Sequence, residues 1–90
     1  MEIAINNKTD FERKVNAIIS YILGIDEKKI TPQSNFRNNF YVDFLSMVDL
    51  VIEFEKEFNI SIPDEQIEKI NTVSEAHECI KRNRNQLLVA

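Results

Sequence analysis

Apolar residues recur every three or four positions in three stretches of this chain, and each stretch predicts a long helix. The first stretch covers residues 11–22, where the spacing matches one face of an α-helix. The segment Thr9-Asp10-Phe11-Glu12 fits a capping box at its start, and Gly24 fits a left-handed residue after its end. We therefore predict helix one from residue 9 or 10 to residue 23.

The other two stretches predict helix two over Phe44–Phe58 and a last helix that begins after a second capping box. Asn59 and the β-branched run that follows it end helix two, and Pro63 cannot lie in a helix interior. Between them we predict a short helix over residues 64–70, with acidic residues at its positive N-terminal end. The last helix follows Thr72-Val73-Ser74-Glu75 and ends near residues 82–85.

Residues 24–42 carry no sustained period, so we expect a long loop between helices one and two. A loop of this length in a small domain needs anchors. We expect its apolar residues to pin it across the bundle: Ile25, Ile30, Phe36, Phe40 and Tyr41. A single helical turn near residues 35–38 fits the sequence, and we expect Tyr21 and Tyr41 to cap edges of the core.

The composition describes one small folded domain. Ninety residues with 43% hydrophobic content and one glycine exclude a linker or a disordered tail. We predict an all-α, four-helix bundle with three longer helices and one short helix over residues 9–84, after a leader of residues 1–8. Residues 85–90 are predicted as a C-terminal tail, in which Leu87–Ala90 either extends the last helix or frays.

Negative charge is concentrated in the middle of the chain. Residues 43–68 hold eight acidic residues and one basic residue, a net charge of −7, whereas the remainder holds seven acidic and ten basic residues, a net charge of +3. Such an acidic patch repels nucleic acid and anionic lipid and attracts basic protein surfaces. No apolar run approaches the roughly 20 residues that span a bilayer. The lone cysteine fits a reducing compartment, so we expect a cytoplasmic monomer that binds protein and not nucleic acid.

At 100° per residue, an ideal helix separates helix two into two faces. The polar face holds Ser46, Asp49, Glu53, Lys56 and Glu57. Leu50 and Glu55 break the division. Most of the apolar residues lie on the opposite face: Met47, Val48, Val51, Ile52, Phe54 and Phe58.

The sequence offers few residues for catalysis or metal binding. His77 and Cys79 are two positions apart and point in different directions on a helix, and we expect both at the surface or at the edge of the core. One histidine and one cysteine make no zinc site, and the acidic residues that follow Pro63 lack the pattern of a Ca²⁺ loop. A small hydrolase or metal protein is therefore disfavoured, and we predict neither enzymatic activity nor a metal site.

Four motifs in order resemble those of the acyl carrier protein family. They are Asp43-x-Leu45-x-x-Val48-Asp49-Leu50-Val51, Glu55-Lys56-Glu57-Phe58, Ile62-Pro63-Asp64-Glu65 and Ile70-Asn71-Thr72-Val73. Each motif alone is weak, whereas all four at the family's spacing point to its fold over residues 11–83. The resemblance implies a protein–protein carrier or docking module of fatty acid or polyketide-type biosynthesis.

The resemblance also implies a 4′-phosphopantetheine arm on a serine directly after the aspartate, where this chain has Phe44. A benzyl side chain has no oxygen for the phosphodiester, so we expect the arm to be absent from this position. The partners implied are a phosphopantetheinyl transferase and acyl synthases or transferases with basic surfaces. They would dock on the second helix and its surroundings: Asp43, Leu45, Met47, Val48, Asp49, Ile52, Glu53, Glu55, Glu57 and Glu65. For Leu45 and Met47, packing in the core fits equally well.

Three explanations of Phe44 remain open. The first is that the chain is a natural relative that carries no group. The second is that a substitution has replaced the serine, whose codons can differ from those of phenylalanine by one base. The third is that the attachment has moved to Ser46. We expect Ser46 to be accessible, but it lies about 200° around an ideal helix from position 44, and Met47 follows it where the family has leucine. The main alternative function is a non-carrying module that occupies the docking site of a partner.

Two placements of the Phe44 ring fit an ideal helix, which puts it near Val48 and Val51. In the first, the ring covers or partly fills the entrance to the space where the family shelters an acyl chain. In the second, the ring is partly exposed at the helix start and serves as a contact.

Overall fold

The computed structural model describes residues 9–89, with side chains for residues 9–84, and within this range it has five α-helices. They are α1 (Asp10–Leu23), α2 (Phe36–Phe40), α3 (Phe44–Phe58), α4 (Asp64–Ile67) and α5 (Val73–Val89), with a 3-10 turn at Glu27–Lys29. Over the same residues the only β-type pairing is one bridge between Asn35 and Thr72. The all-α prediction is confirmed, and the predicted leader, residues 1–8, lies outside the described residues.

The predicted helix caps are present. The Thr9 hydroxyl accepts a hydrogen bond from the Glu12 N–H, and the Glu12 carboxylate accepts one from the Thr9 N–H, both at 3.1 Å. Thr72 and Glu75 exchange the same pair of bonds at the start of α5. Each box satisfies backbone donors that the first helical turn leaves unpaired. Gly24 ends α1 in the left-handed conformation, with φ of 68°, as its position predicts.

α3 is the central helix, since it packs against α1, α4 and α5. It spans the predicted residues, but its buried stripe is turned about the helix axis. The stripe consists of residues at positions i, i+3, i+4 and i+7, namely Met47, Leu50, Val51 and Phe54. On an ideal helix these four side chains centre about 290° from Phe44. Leu50, one of the two residues that break the predicted division of faces, is therefore fully buried, whereas Ile52, on the predicted apolar face, is 42% exposed.

The long connection between α1 and α3 is more ordered than the predicted loop, because it contains α2 and is tied to the start of α5. The Phe36 N–H donates to the Asn71 carbonyl at 2.9 Å, and the Val73 N–H donates to the Ser34 carbonyl at 3.0 Å. Phe36 is fully buried. Ile30 and Val42 are also buried, so three apolar anchors fix this segment against the bundle.

Two element boundaries differ from the sequence prediction. α4 ends at Ile67, three residues earlier than predicted, and hydrogen bonds of the i→i+3 type continue the turn to Ile70. α5 passes residues 82–85, where we predicted its end, and the backbone stays helical to Val89, which agrees with an extension of the last helix.

The two tyrosines do not cap the core, and that prediction is wrong. Tyr21 is 85% exposed on α1, and Tyr41 is 87% exposed directly after α2. Tyr21 lies on the solvent-facing side of α1, next to the half-buried Ser20. Tyr41 has a left-handed backbone conformation, with φ of 57°.

Three residues of the described chain adopt the left-handed conformation at a helix C-terminus: Gly24, Tyr41 and Asn59, with φ of 68°, 57° and 55°. Glycine and asparagine tolerate this region, whereas a bulky side chain with a Cβ is strained there. The cost for Tyr41 is about 1 kcal/mol. Its N–H donates to the Arg37 carbonyl and the Val42 N–H donates to the Phe36 carbonyl, so the end of α2 holds the conformation in place.

We expect Tyr41→Gly to raise the free energy of unfolding by about 1 kcal/mol, because glycine removes the strain of the left-handed residue. Urea denaturation monitored by circular dichroism measures the change. Asn59→Gly is the matched control and should give a smaller gain, since asparagine already tolerates the conformation. A loss of stability in Tyr41→Gly would contradict the assignment of strain.

Candidate functional site

The start of α3 is fixed by Asp43, which has extended backbone and caps the helix. Its Oδ1 accepts a hydrogen bond from the Ser46 N–H at 2.8 Å. This bond, with a further contribution from the Ser46 hydroxyl, holds the pKa of the Asp43 carboxyl below its ordinary value of 3.8. The cap makes Phe44 the first helical residue, so the orientation of its ring follows from Asp43.

The Phe44 ring is 44% exposed. The ring therefore does not cover the entrance between the helices completely, and its partial exposure agrees with the second placement, at the helix start. Leu45, the next residue, is 73% exposed. Ser46, which we expected to be accessible, is half-buried, and its backbone N–H donates to the Asp43 carboxylate.

The predicted docking residues fall into three groups by exposure. Met47 is 4% exposed, because it belongs to the buried stripe of α3, so it cannot form part of a docking surface. Val48, Glu53 and Glu55 are half-buried. The exposed residues are Asp43, Leu45, Asp49, Ile52, Glu57 and Glu65.

Glu55 has a structural contact that the sequence reading missed. Its Oε2 accepts a hydrogen bond from the Ile62 N–H at 2.7 Å, and its backbone carbonyl accepts one from the Ile60 N–H at 3.1 Å. Ile60 and Ile62 are both buried. Glu55 therefore holds the connection between α3 and α4 against the end of α3.

The other two acids near the end of α3 form ion pairs. Nζ of Lys14 on α1 lies 3.1 Å from Oε2 of Glu57, and Nζ of Lys56 lies 3.7 Å from Oε2 of Glu53. All four side chains are substantially exposed, so each pair contributes little to stability.

The centre of the exposed face of α3 combines apolar and charged side chains. Leu45, Asp49, Ile52 and Lys56 are spaced i, i+4, i+7 and i+11, and all four are exposed. We call this set of residues, together with Asp43 at the helix start, the α3 face. Its chemistry suits a partner that offers apolar contacts surrounded by basic groups.

Tyr41 is the residue of this region that the sequence reading placed wrongly. It lies two residues before Asp43 and is almost fully exposed. A helix C-terminus that carries neither glycine nor asparagine gives no signal for a left-handed residue. The one sequence feature that could have indicated an irregular, exposed residue here is that no regular pattern runs between Phe40 and Asp43.

His77 and Cys79 are both buried, so the prediction that they lie at the surface or at the core edge is corrected. Nε2 of His77 lies 3.2 Å from Oδ1 of Asn16 on α1. Sγ of Cys79 lies 3.4 Å from Oε1 of Gln66 on α4. Burial raises the pKa of the Cys79 thiol. The two side chains point to different helices, so they do not form a nucleophile–base pair.

The part of the chain that the structure describes has neither a cluster of metal ligands nor a membrane-spanning helix. Among residues 9–84, no group of three or more His, Cys, Asp or Glu side chains is arranged to hold a metal ion. Of the helices between residues 9 and 89, none has the length and apolar character needed to cross a membrane.

We expect Glu55→Ala to lower the free energy of unfolding by about 1 to 2 kcal/mol, because it removes the partly buried acceptor of the Ile62 N–H. Glu53→Ala is the matched control, since it removes an exposed ion pair from the same helix and should cost less than about 1 kcal/mol. Chemical denaturation of both variants checks this. Equal losses of unfolding free energy in the two variants would show that the hydrogen bond from the Ile62 N–H to Glu55 stabilises the fold no more than the exposed ion pair of Glu53 does.

Asp43 predicts a pH dependence of stability. Because its folded pKa is lowered, the carboxylate stabilises the fold above its unfolded pKa, near 3.8, and this contribution is lost as the pH falls through the folded value. Asp43→Asn keeps a capping side chain that does not titrate. We expect the stability difference between the unaltered chain and Asp43→Asn to shrink between pH 6 and pH 3. A difference in the free energy of unfolding between the two proteins that stays constant from pH 6 to pH 3 would contradict the role of the Asp43 carboxylate as the cap.

Comparison with known proteins identifies relatives of this chain. The sequence pattern described as the phosphopantetheine attachment site matches residues 13–80. The chain is 45% identical over 69 residues to the acyl carrier protein of Karelsulcia muelleri (strain GWSS), a match that covers 77% of this chain and 83% of the relative. It is 40% identical over 70 residues to the acyl carrier protein of Rubrobacter xylanophilus, covering 78% and 86% of the two chains.

A solved structure agrees with the sequence matches. The crystal structure of an acyl carrier protein from Thermotoga maritima superposes on this chain with a TM-score of 0.75 at 25% sequence identity. The superposition covers 91% of this chain and 99% of the other. The family pattern spans most of the chain, and two relatives exceed 30% identity over more than two thirds of both sequences. The chain belongs to the acyl carrier protein family.

Proposed function

We propose that this chain is an acyl-carrier-type domain of fatty acid or polyketide-type biosynthesis, that it docks on partner enzymes through the α3 face, and that position 44 carries no phosphopantetheine. Membership of a family of non-catalytic carriers supports the first part. The observation that carries the docking proposal is the exposure of Leu45, Asp49 and Ile52 along one line of α3. Exposed apolar residues next to charges are typical of sites that bind other proteins.

Charge supports a basic partner for this face. The segment 43–68 has a net charge of −7, and Asp43, Asp49 and Glu65 are exposed within it. Opposite charge on a partner accelerates association and selects the orientation of the complex. Surfaces rich in lysine or arginine on a phosphopantetheinyl transferase, an acyl synthase or an acyl transferase would meet this condition.

The residues at the start of α3 do not fit covalent loading at position 44. A phosphopantetheine arm is held by a phosphodiester through a side-chain oxygen, and phenylalanine has none. The nearest hydroxyl on the same helix is Ser46, which is half-buried and hydrogen-bonded to Asp43. That bond is donated by the Ser46 backbone N–H. On an ideal helix the Ser46 side chain lies about 200° from position 44, so an enzyme that recognises the surroundings of Asp43 would meet the hydroxyl on the wrong side. We also propose a cytoplasmic location, which the single buried cysteine supports.

Intact mass after incubation with coenzyme A and a broad-specificity phosphopantetheinyl transferase tests the proposal. We expect no mass gain for the unaltered chain and a gain of one phosphopantetheinyl group for Phe44→Ser, because the variant supplies the missing oxygen at the start of the same helix. Ser46→Ala in the Phe44→Ser background is the control and should still be loaded. Circular dichroism of each variant verifies that it is folded.

Two results would count against this reading. A gain by the unaltered chain that disappears in Ser46→Ala would identify a carrier modified at Ser46. Failure to load Phe44→Ser while the variant is folded would mean that the α3 face is not recognised by the transferase.

The exposure of Phe44 favours one second candidate, a module that occupies the docking site of a partner without carrying a group. The ring lies beside Leu45 on accessible surface, so a partner can contact the position that it cannot modify. This candidate predicts that the unaltered chain competes with Phe44→Ser for the transferase while remaining unloaded itself.

A further inference from the structure

Exposed apolar side chains are concentrated around the start of α3. Of the five large hydrophobic residues that are exposed in the described part of the chain, four lie between Tyr41 and Ile52, and the fifth is Tyr21 on α1. Isolated exposed apolar residues are normal on protein surfaces, whereas a cluster marks an interaction site. We call Tyr41, Phe44, Leu45 and Ile52 the apolar patch.

Tyr41 is the most exposed member of the apolar patch, and its position is held by the surrounding backbone. Two hydrogen bonds, from the Tyr41 N–H to the Arg37 carbonyl at 3.1 Å and from the Val42 N–H to the Phe36 carbonyl at 3.0 Å, close the end of α2. Phe36 and Val42 are buried on either side. The ring of Tyr41 is therefore presented to solvent from a fixed backbone, so little backbone freedom would be lost when a partner covers it.

The backbone at Tyr41 is unfavourable for tyrosine, while the other left-handed residues in the described chain are a glycine and an asparagine. Strained residues that the surrounding structure holds in place cluster at functional sites. The folded chain itself gains no buried area from the Tyr41 ring, which is 87% exposed. A contact outside the chain is what would make use of this ring.

The charges around the apolar patch select the kind of partner. Asp43 and Asp49 are exposed beside Phe44 and Leu45, and along α3 the one basic residue is Lys56. A second copy of the chain would bring two segments of net charge −7 together, which is unfavourable. A partner with basic residues around an apolar pocket has the complementary charge.

We infer that Tyr41 is an aromatic anchor of a protein–protein interface, in which its ring enters an apolar pocket of a partner enzyme ringed by lysine or arginine, next to Phe44 and Leu45. The inference rests on the proposed docking of this chain on carrier-dependent enzymes. Aromatic side chains, tyrosine among them, contribute a large share of the binding energy of such interfaces. The apolar patch thereby gives this chain a non-covalent contact at the helix start where it has no attachment oxygen.

Binding of a purified carrier-dependent acyl synthase to the chain, measured by isothermal titration calorimetry, tests the inference. We expect Tyr41→Gly and Tyr41→Asn to raise the Kd by about tenfold, because both remove the ring and keep a residue suited to the left-handed backbone. Tyr41→Phe should bind as the unaltered chain does. Tyr21→Ala, which removes an equally exposed ring on α1, is the matched control and should leave the Kd unchanged.

The outcomes separate this inference from the proposed function. An unchanged Kd in Tyr41→Gly and Tyr41→Asn, together with weaker binding in Asp49→Asn, would overturn the role of Tyr41 alone. If the unaltered chain does not bind the synthase, both proposals fail. Sedimentation that shows a dimer of the unaltered chain, lost in Tyr41→Gly, would mean that a second copy covers the apolar patch and would overturn the assigned partner.

Discussion

The rest of the structure depends on how α3 is turned about its own axis. Met47, Leu50, Val51 and Phe54 form the stripe that packs on the core, and α3 contacts three of the other helices. Protein interiors are close-packed, so the stripe leaves α3 little freedom to rotate. Both ends are also held, at the start by the Asp43 cap and at the end by the bond from Ile62 to Glu55.

This orientation decides which side chains a partner can reach. With the stripe facing inward, Leu45, Asp49 and Ile52 face solvent, and apolar and acidic groups lie together on accessible surface. The same constraint removes Met47 from that surface and leaves Phe44 at its edge, partly covered and partly open. The surface chemistry of α3 is therefore a direct consequence of core packing.

The elements that local chemistry determines were predictable from the sequence, and those that depend on tertiary packing were less so. Both capping boxes and the end of α1 at Gly24 were predicted, because each involves residues within a few positions of one another. The burial of Leu50, His77 and Cys79 was not, since it depends on which helices meet. The hydrogen bond from Ile62 to Glu55 spans seven residues and has no sequence signal. The family motifs identified the fold and the α3 region. The exposure of Tyr41 contradicts the prediction that its side chain anchors the loop of residues 24–42 and caps the core.

Two departures from ordinary sequence rules lie within four residues of one another, at the N-terminal end of α3. Tyr41 has a side chain that its backbone disfavours, and Phe44 has an apolar ring at the position where the resemblance to the family implies a serine. Elsewhere the caps agree with local preference, as Thr9, Thr72 and Gly24 show. Sequences that specify one structure are locally consistent, and their exceptions tend to fall at functional sites. Neither ring belongs to the buried core, since Tyr41 is 87% exposed and Phe44 is 44% exposed, so core packing alone does not account for them. Under the proposed docking, recognition by another protein would give a single physical reason for both, because an exposed aromatic side chain beside acidic residues loses its contact with water only when a partner covers it.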